Sequence, residues 1–113
     1  MLDRLADFPV ILYPDAPGEV IAPHAFPILI NDASLFAAFK AHLKEWHIEF
    51  KSLWGSLTDH RAYSWRRWQD FPVARDIGKR GVHWGCHESL TDDDLDYIYD
   101  VIAMFFQDYK EAA

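Results

Sequence analysis

One cysteine, Cys86, stands in 113 residues. No internal disulfide framework can form, and a reducing compartment is the default. Five glycines are scattered along the chain, and none belongs to a glycine-rich phosphate loop. No apolar run approaches the roughly 20 residues that a membrane-spanning helix needs. Met1-Leu2-Asp3-Arg4-Leu5 lacks the basic start and apolar core of a signal peptide. Positive charge is also scarce. Lys and Arg number 11 against 18 Asp and Glu, for a net charge of −7 and a pI near 5.2. That balance disfavours nonspecific nucleic-acid binding and attraction to anionic membranes. No internal repeat or low-complexity segment is present. A soluble cytoplasmic protein is the expectation.

What the chain does have is apolar and aromatic mass. Half of the residues are hydrophobic and 16% are aromatic, enough for one domain with a real core and too little length for two. Pro9, Pro14, Pro17 and Pro23 prevent a sustained helix over residues 1–23, which read as an N-terminal arm. Val10-Ile11-Leu12-Tyr13 is either a short edge strand or a packed segment. Residues 24–113 read as the domain proper. His24 to Ile30 is the first strand, with Phe26, Ile28 and Ile30 on one face. Pro27 argues for an edge strand or a bulge there. Asn31 or Asp32 then caps a helix of about 15 residues. Leu35, Phe36, Phe39, Leu43 and Trp46 form its apolar stripe. Ile48 to Leu53 is a second strand.

The strongest periodicity comes last. Leu95, Ile98, Tyr99, Ile102, Phe105, Phe106 and Tyr109 recur at helical spacing. Thr91 is the N-cap, and Asp94 stands where a capping box has Glu or Gln. Asp92, Asp93 and Asp94 suit the positive end of the helix dipole. Pro72 opens a shorter helix that ends near Gly78. Gly81-Val82-His83-Trp84 is a strand between the two helices. The order predicts an α+β domain: a small, mostly antiparallel sheet with helices packed on one face.

Chemistry concentrates in two places. Trp54 to Asp70 is an irregular stretch holding Trp54, Asp59, His60, Arg61, Tyr63, Trp65, Arg66, Arg67 and Trp68. Its arginines can grip phosphate while the aromatics stack on a base. The plainer account, a solvated loop paired with surplus carboxylates, comes first, because exposed ion pairs are common and weak. His83, Cys86 and His87 have types suited to zinc, with His60 as a fourth ligand. Strand alternation need not turn His83 toward Cys86 and His87, and no Cys-x-x-Cys pair supports the site. A half-buried His83 beside a packed Cys86 is the favoured account. A Cys86–His87 nucleophile is sterically unattractive for adjacent residues.

Several blocks carry a family resemblance. They are Phe26-Pro27-Ile28-Leu29-Ile30, Gly55-Ser56-Leu57 through Ala62-Tyr63, Phe71-Pro72-Val73-Ala74, Gly81 to Trp84, Gly85-Cys86-His87 and Leu90-Thr91-Asp92. In this order they resemble the C-terminal end of the DegT/DnrJ/EryC1/StrS sugar aminotransferases, over roughly residues 20–108. That family uses pyridoxal phosphate to aminate or deoxygenate nucleotide-linked keto sugars. The resemblance implies the small domain of a fold-type-I aminotransferase, closing over a cofactor held by a large domain. It implies substrate contacts at Lys51, Gly55, Ser56, His60, Arg61, Tyr63 and His87. Lys51 replaces a common Arg and Ser56 a common Asn. No catalytic, cofactor-binding or metal residue is assigned to this chain. A cofactor of this type needs a Schiff-base lysine, a carboxylate for the ring nitrogen and a phosphate cradle. None of Lys40, Lys44, Lys51, Lys79 and Lys110 sits in a recognisable cofactor motif. The chain alone is therefore expected to be inactive. A stand-alone binding or interaction module that keeps the fold is the alternative. The expected partners are a large aminotransferase domain, a nucleotide sugar and a second copy in a homodimer. The sequence leaves open a natural short protein, a truncated gene or a cloned domain, as well as the sugar and the aminotransferase or dehydrase branch.

Overall fold

A computed structural model describes residues 2–54, 57–63, 65 and 70–112. The chain forms α1 (Leu2–Leu5), β1 (Val10–Ile11), β2 (Ala25–Ile30), α2 (Phe36–Glu45), β3 (Lys51–Ser52), α3 (Pro72–Arg80), β4 (Gly81–Gly85) and α4 (Asp92–Ala112). Short 3-10 turns at Ala33–Leu35, Leu57–Asp59 and Arg61–Tyr63 fill the connections. The four strands pair antiparallel in the order β1-β2-β4-β3. This is an α+β architecture.

β2 and β4 form the heart of the sheet. Their register sets Phe26 against Trp84 and Ile28 against Val82. The Phe26 and Trp84 rings stack 5.3 Å apart. Alternation puts these side chains and Ile30 on one face. α2 and α4 bury their apolar stripes against that face. Phe39 and Leu43 from α2 join Ile98, Val101, Ile102, Phe105 and Phe106 from α4 in one core. Phe39 packs edge-on to Phe105 with centroids 5.0 Å apart, an arrangement that suits the ring quadrupoles. The His42 ring bridges α2 and α4 through a 2.7 Å contact between Nε2 and the Val101 carbonyl.

Two expectations need correction. β2 is an inner strand, not an edge strand. Pro27 is accommodated because β1 pairs only with Leu29 and Ile30, which leaves the β1-facing side of β2 open at Pro27. The second predicted strand, Ile48 to Leu53, shrinks to Lys51–Ser52. Its first residue belongs to the helix stop instead: the Ile48 N–H donates to the Leu43 carbonyl at 2.9 Å, and the His47 N–H to that of Lys44 at 3.1 Å. Those two bonds form a Schellman motif, with the left-handed position (φ 56°) occupied by His47 where glycine is usual. The arm reaches into the core. Leu5 is fully buried in the core, and Phe8 stacks on Phe106 at 5.5 Å.

The helix ends follow local chemistry. Asp32 accepts from the N–H and hydroxyl of Ser34 at the turn that starts α2. Pro72 occupies the first turn of α3. α3 runs into β4 without a loop, because its C-cap is Gly81, the first residue of the strand. Arg80 locks this junction, holding Asp76 one turn back and donating to the Ile30 carbonyl at 3.0 Å. No helix among the described residues is long and apolar enough to cross a membrane.

Candidate functional site

Two cavities open beside the C-terminal end of β4. The larger, about 480 Å³, is bounded by the α2–β3 connection, β3, the end of β4 and the start of α4. Its lining is polar. His47 and Glu49 come from the connection, Lys51 from β3, His83 from β4 and His87 from the following turn. Asp94 and Tyr97 come from α4, and His24 from just before β2.

The smaller cavity, about 390 Å³, is apolar. The sheet supplies Phe26, Pro27 and His83, with Leu53 and Trp54 beyond β3. The arm supplies Tyr13, Asp15, Ile21 and Pro23. One bond shapes this part of the arm and another ties it to the turn after β4. Asp15 accepts the Ile21 N–H at 3.0 Å, and the Cys86 thiol donates to the Pro23 carbonyl at 3.2 Å. The arm thus partly covers the sheet face opposite α2 and α4. The cavities meet at His24 and His83, which line both. The His83 ring lies 6.3 Å from that of His24 and 6.3 Å from that of Trp54.

The walls of the polar cavity are braced. The Tyr97 hydroxyl donates to the Trp46 carbonyl at 2.7 Å, so α4 holds the chain just before His47. Thr91 and Asp94 cap each other. The Thr91 N–H donates to the Asp94 carboxylate at 2.8 Å, and the Asp94 N–H to the Thr91 hydroxyl at 3.2 Å. The Thr91 backbone N–H, then its hydroxyl, hold the Asp94 carboxyl below its ordinary pKa, and the His87 charge acts in the same direction. The aspartate therefore does the capping-box work of a glutamate.

The residues expected from sequence distribute unevenly. Lys51 and His87 meet in the polar cavity. Arg61 and Tyr63 lie on an exposed 3-10 turn and His60 just before it, and none of the three lines either cavity. There the His60 Nδ1 accepts the Ala62 N–H at 3.2 Å. Gly55 and Ser56, with Arg66, Arg67 and Trp68 of the arginine group, lie outside the described residues. His24, His47, Glu49, Asp94 and Tyr97 were not foreseen as site residues. Only the six histidines of the sequence hinted at them. His83 shares the cavity of His87 despite strand alternation. Among the described residues, no group of three or more His, Cys, Asp or Glu is placed to hold a metal ion.

The match to known families decides what kind of domain carries these cavities. The DegT/DnrJ/EryC1/StrS aminotransferase family model matches residues 2–103. The chain belongs to this aminotransferase family. No curated protein matches it.

Among the described residues of this aminotransferase-family chain, no donor set fits pyridoxal phosphate. Lys51 is the one lysine lining either cavity. Lys40 lies over the Phe36 ring at 4.4 Å, on α2. The helix start at the polar cavity is that of α4, whose first turn carries Asp92, Asp93 and Asp94. A phosphate placed there meets three carboxylates, against the preference of a helix start for added anions.

Proposed function

We propose that this chain is the C-terminal small domain of a pyridoxal-phosphate-dependent nucleotide-sugar aminotransferase or dehydrase. It supplies part of the substrate pocket, while a separate large domain holds the cofactor. The observation that carries this reading is a two-chambered site within an aminotransferase-family domain. A nucleotide sugar joins a hydroxyl-rich, charged portion to a flat base. The polar chamber with Lys51 and His87 suits the first, and the chamber lined by Trp54 and Tyr13 suits the second.

Titration with uridine diphosphate glucose tests the reading. Saturable quenching of tryptophan fluorescence is expected, and Trp54→Phe should abolish it. No saturable response in the wild-type chain rejects the substrate-wall role. The isolated chain is also expected to be catalytically silent. Borohydride treatment after addition of pyridoxal phosphate should trap no stoichiometric adduct; one adduct per chain at a single lysine overturns that claim.

A second reading, a non-catalytic interaction module, draws on exposed aromatic and aliphatic side chains. Trp54 is 79% exposed, Trp65 69% and Val73 70%. Such surfaces mark partner contacts. The assembly we propose is a two-fold homodimer through the loop tryptophans or the Val10–Tyr13 segment, since that is the commonest closed symmetry. Removing the arm is a poor test, because Leu5 lies in the core. Sedimentation of the full chain and of Trp54→Ser is the cleaner one. A monomer at high concentration refutes the dimer.

A further inference from the structure

The apolar chamber holds a single carboxylate. Among the described residues that line it, Asp15 stands with the aromatic rings of Tyr13, Phe26 and Trp54, and no lysine, arginine or second acid is present. The arm fixes the place of this group. The Ala16 carbonyl accepts the Glu19 N–H at 2.9 Å, Gly18 takes φ 82° at the turn, and the Asp15 Oδ1 accepts the Ile21 N–H at 3.0 Å. The turn thus sets Asp15 and Ile21 together on the chamber wall. One N–H uses little of the accepting capacity of a carboxylate, which has about four lone-pair sites. Asp32, Asp76 and Asp94 are held by the side chains of Ser34, Arg80 and Thr91. Among the described residues, Asp15 has only the Ile21 N–H.

We infer that Asp15 selects the base bound in this chamber, and that it selects guanine, whose ring N–H and exocyclic amino group form a paired donor edge. The inference rests on the nucleotide-sugar reading, which puts a flat base between these walls. Small-molecule sites take their orientation from a few polar groups set in an apolar lining. A base beside Trp54 and Tyr13 displaces water from the Asp15 carboxylate. That loss is offset only where the base donates hydrogen bonds in return. An ionised carboxylate accepts and cannot donate, so the match requires N–H groups. Guanine offers two adjacent ones to the two oxygens. Uracil offers one N–H between two carbonyls, while adenine and cytosine set an amino group beside an accepting ring nitrogen. With each of these three, a lone pair faces the second carboxylate oxygen. A chamber of about 390 Å³ has room for a bicyclic base.

Tryptophan quenching of the full chain by guanosine diphosphate glucose and by uridine diphosphate glucose, which differ only in the base, tests it. The guanosine compound should bind about tenfold tighter, the scale on which paired hydrogen bonds discriminate between bases. Inosine diphosphate lacks the exocyclic amino group and should bind about threefold or more weakly than guanosine diphosphate. Asp15→Asn keeps an oxygen for the Ile21 N–H and replaces the other acceptor with a donor. It should bring the two nucleotide sugars within about twofold of each other. Circular dichroism confirms that the variant is folded. A guanosine preference undiminished in Asp15→Asn overturns the inference. Equal quenching by both sugars in the wild-type chain also overturns it, while the substrate-wall reading stands. Quenching by neither rejects both.

Discussion

Tyr97 in the second turn of α4 donates its hydroxyl to the carbonyl of Trp46, the residue that ends α2. This single bond fastens two helices on opposite sides of the polar cavity. Tyr97→Phe removes the donor and leaves the ring. A half-exposed carbonyl finds water easily, so the expected loss is about 0.5–1 kcal/mol. Chemical denaturation measures it, and amide shifts should change most at His47 and Ile48.

His47→Gly is expected to stabilise the domain. A side chain at left-handed φ costs about 1–2 kcal/mol, and glycine removes that cost while adding entropy to the unfolded chain. The net gain should be about 0.5–1 kcal/mol, or roughly 4 °C in midpoint at the upper end. Chemical denaturation measures the gain, and an unchanged or lower midpoint would show that His47 carries no removable strain at this position.

Acid should destabilise the fold through its capping carboxylates. Bonds from Thr91 lower the pKa of Asp94, those from Ser34 lower that of Asp32, and Arg80 lowers that of Asp76. A carboxyl whose folded pKa lies below its unfolded one stabilises fully above the unfolded value. That stabilisation is lost as pH falls through the folded value. Melting temperatures should therefore hold steady above the carboxylate range and drop beneath it. Asp94→Asn should flatten part of that drop, and Thr91→Ala should cost about 1 kcal/mol at neutral pH.

Leu5→Ala should cost about 2–5 kcal/mol, the ordinary range for emptying a fully buried leucine site. Equilibrium unfolding in urea gives the value. A loss below about 0.5 kcal/mol would mean that the first turn does not pack on the core in solution.

Gly81→Ala tests the loop-free junction between α3 and β4. A Cβ there would lie 2.3 Å from Leu53 Cδ1, 2.8 Å from Leu29 Cδ2 and 2.8 Å from the Ile77 carbonyl oxygen. The leucines can swing, but the carbonyl belongs to the last turn of α3. Overpacking of this kind should cost about 1–3 kcal/mol, read from the urea midpoint. A wild-type midpoint would show that the junction relaxes freely.

Local rules made the main elements legible. The apolar period of α4, the Thr91–Asp94 cap, Pro72 at the start of α3 and the alternation of Phe26, Ile28 and Ile30 each depend on near neighbours in sequence. The misses depend on distant ones. Ile48 alternates correctly for a strand, yet its N–H closes the preceding helix. Leu5 follows no long periodic run, yet it fills a hole between secondary elements. The polar cavity needs His24, His47, His83 and His87 to converge, and no spacing rule links residues so far apart. Trp54 was marked by its aromatic neighbourhood, but its chamber is completed by arm residues that no motif connects to it.

Both edges of the sheet are strands of only two residues, β1 and β3. Strand addition, the route by which sheets recruit foreign chains, has little ladder to copy at either side. The segment best able to seed fibrils, Phe26 to Ile30, pairs with β4 on one side and carries Pro27 where β1 leaves its other side open. Replacing that proline with valine would leave the folded sheet little altered and make the unfolded chain far more prone to aggregate during refolding.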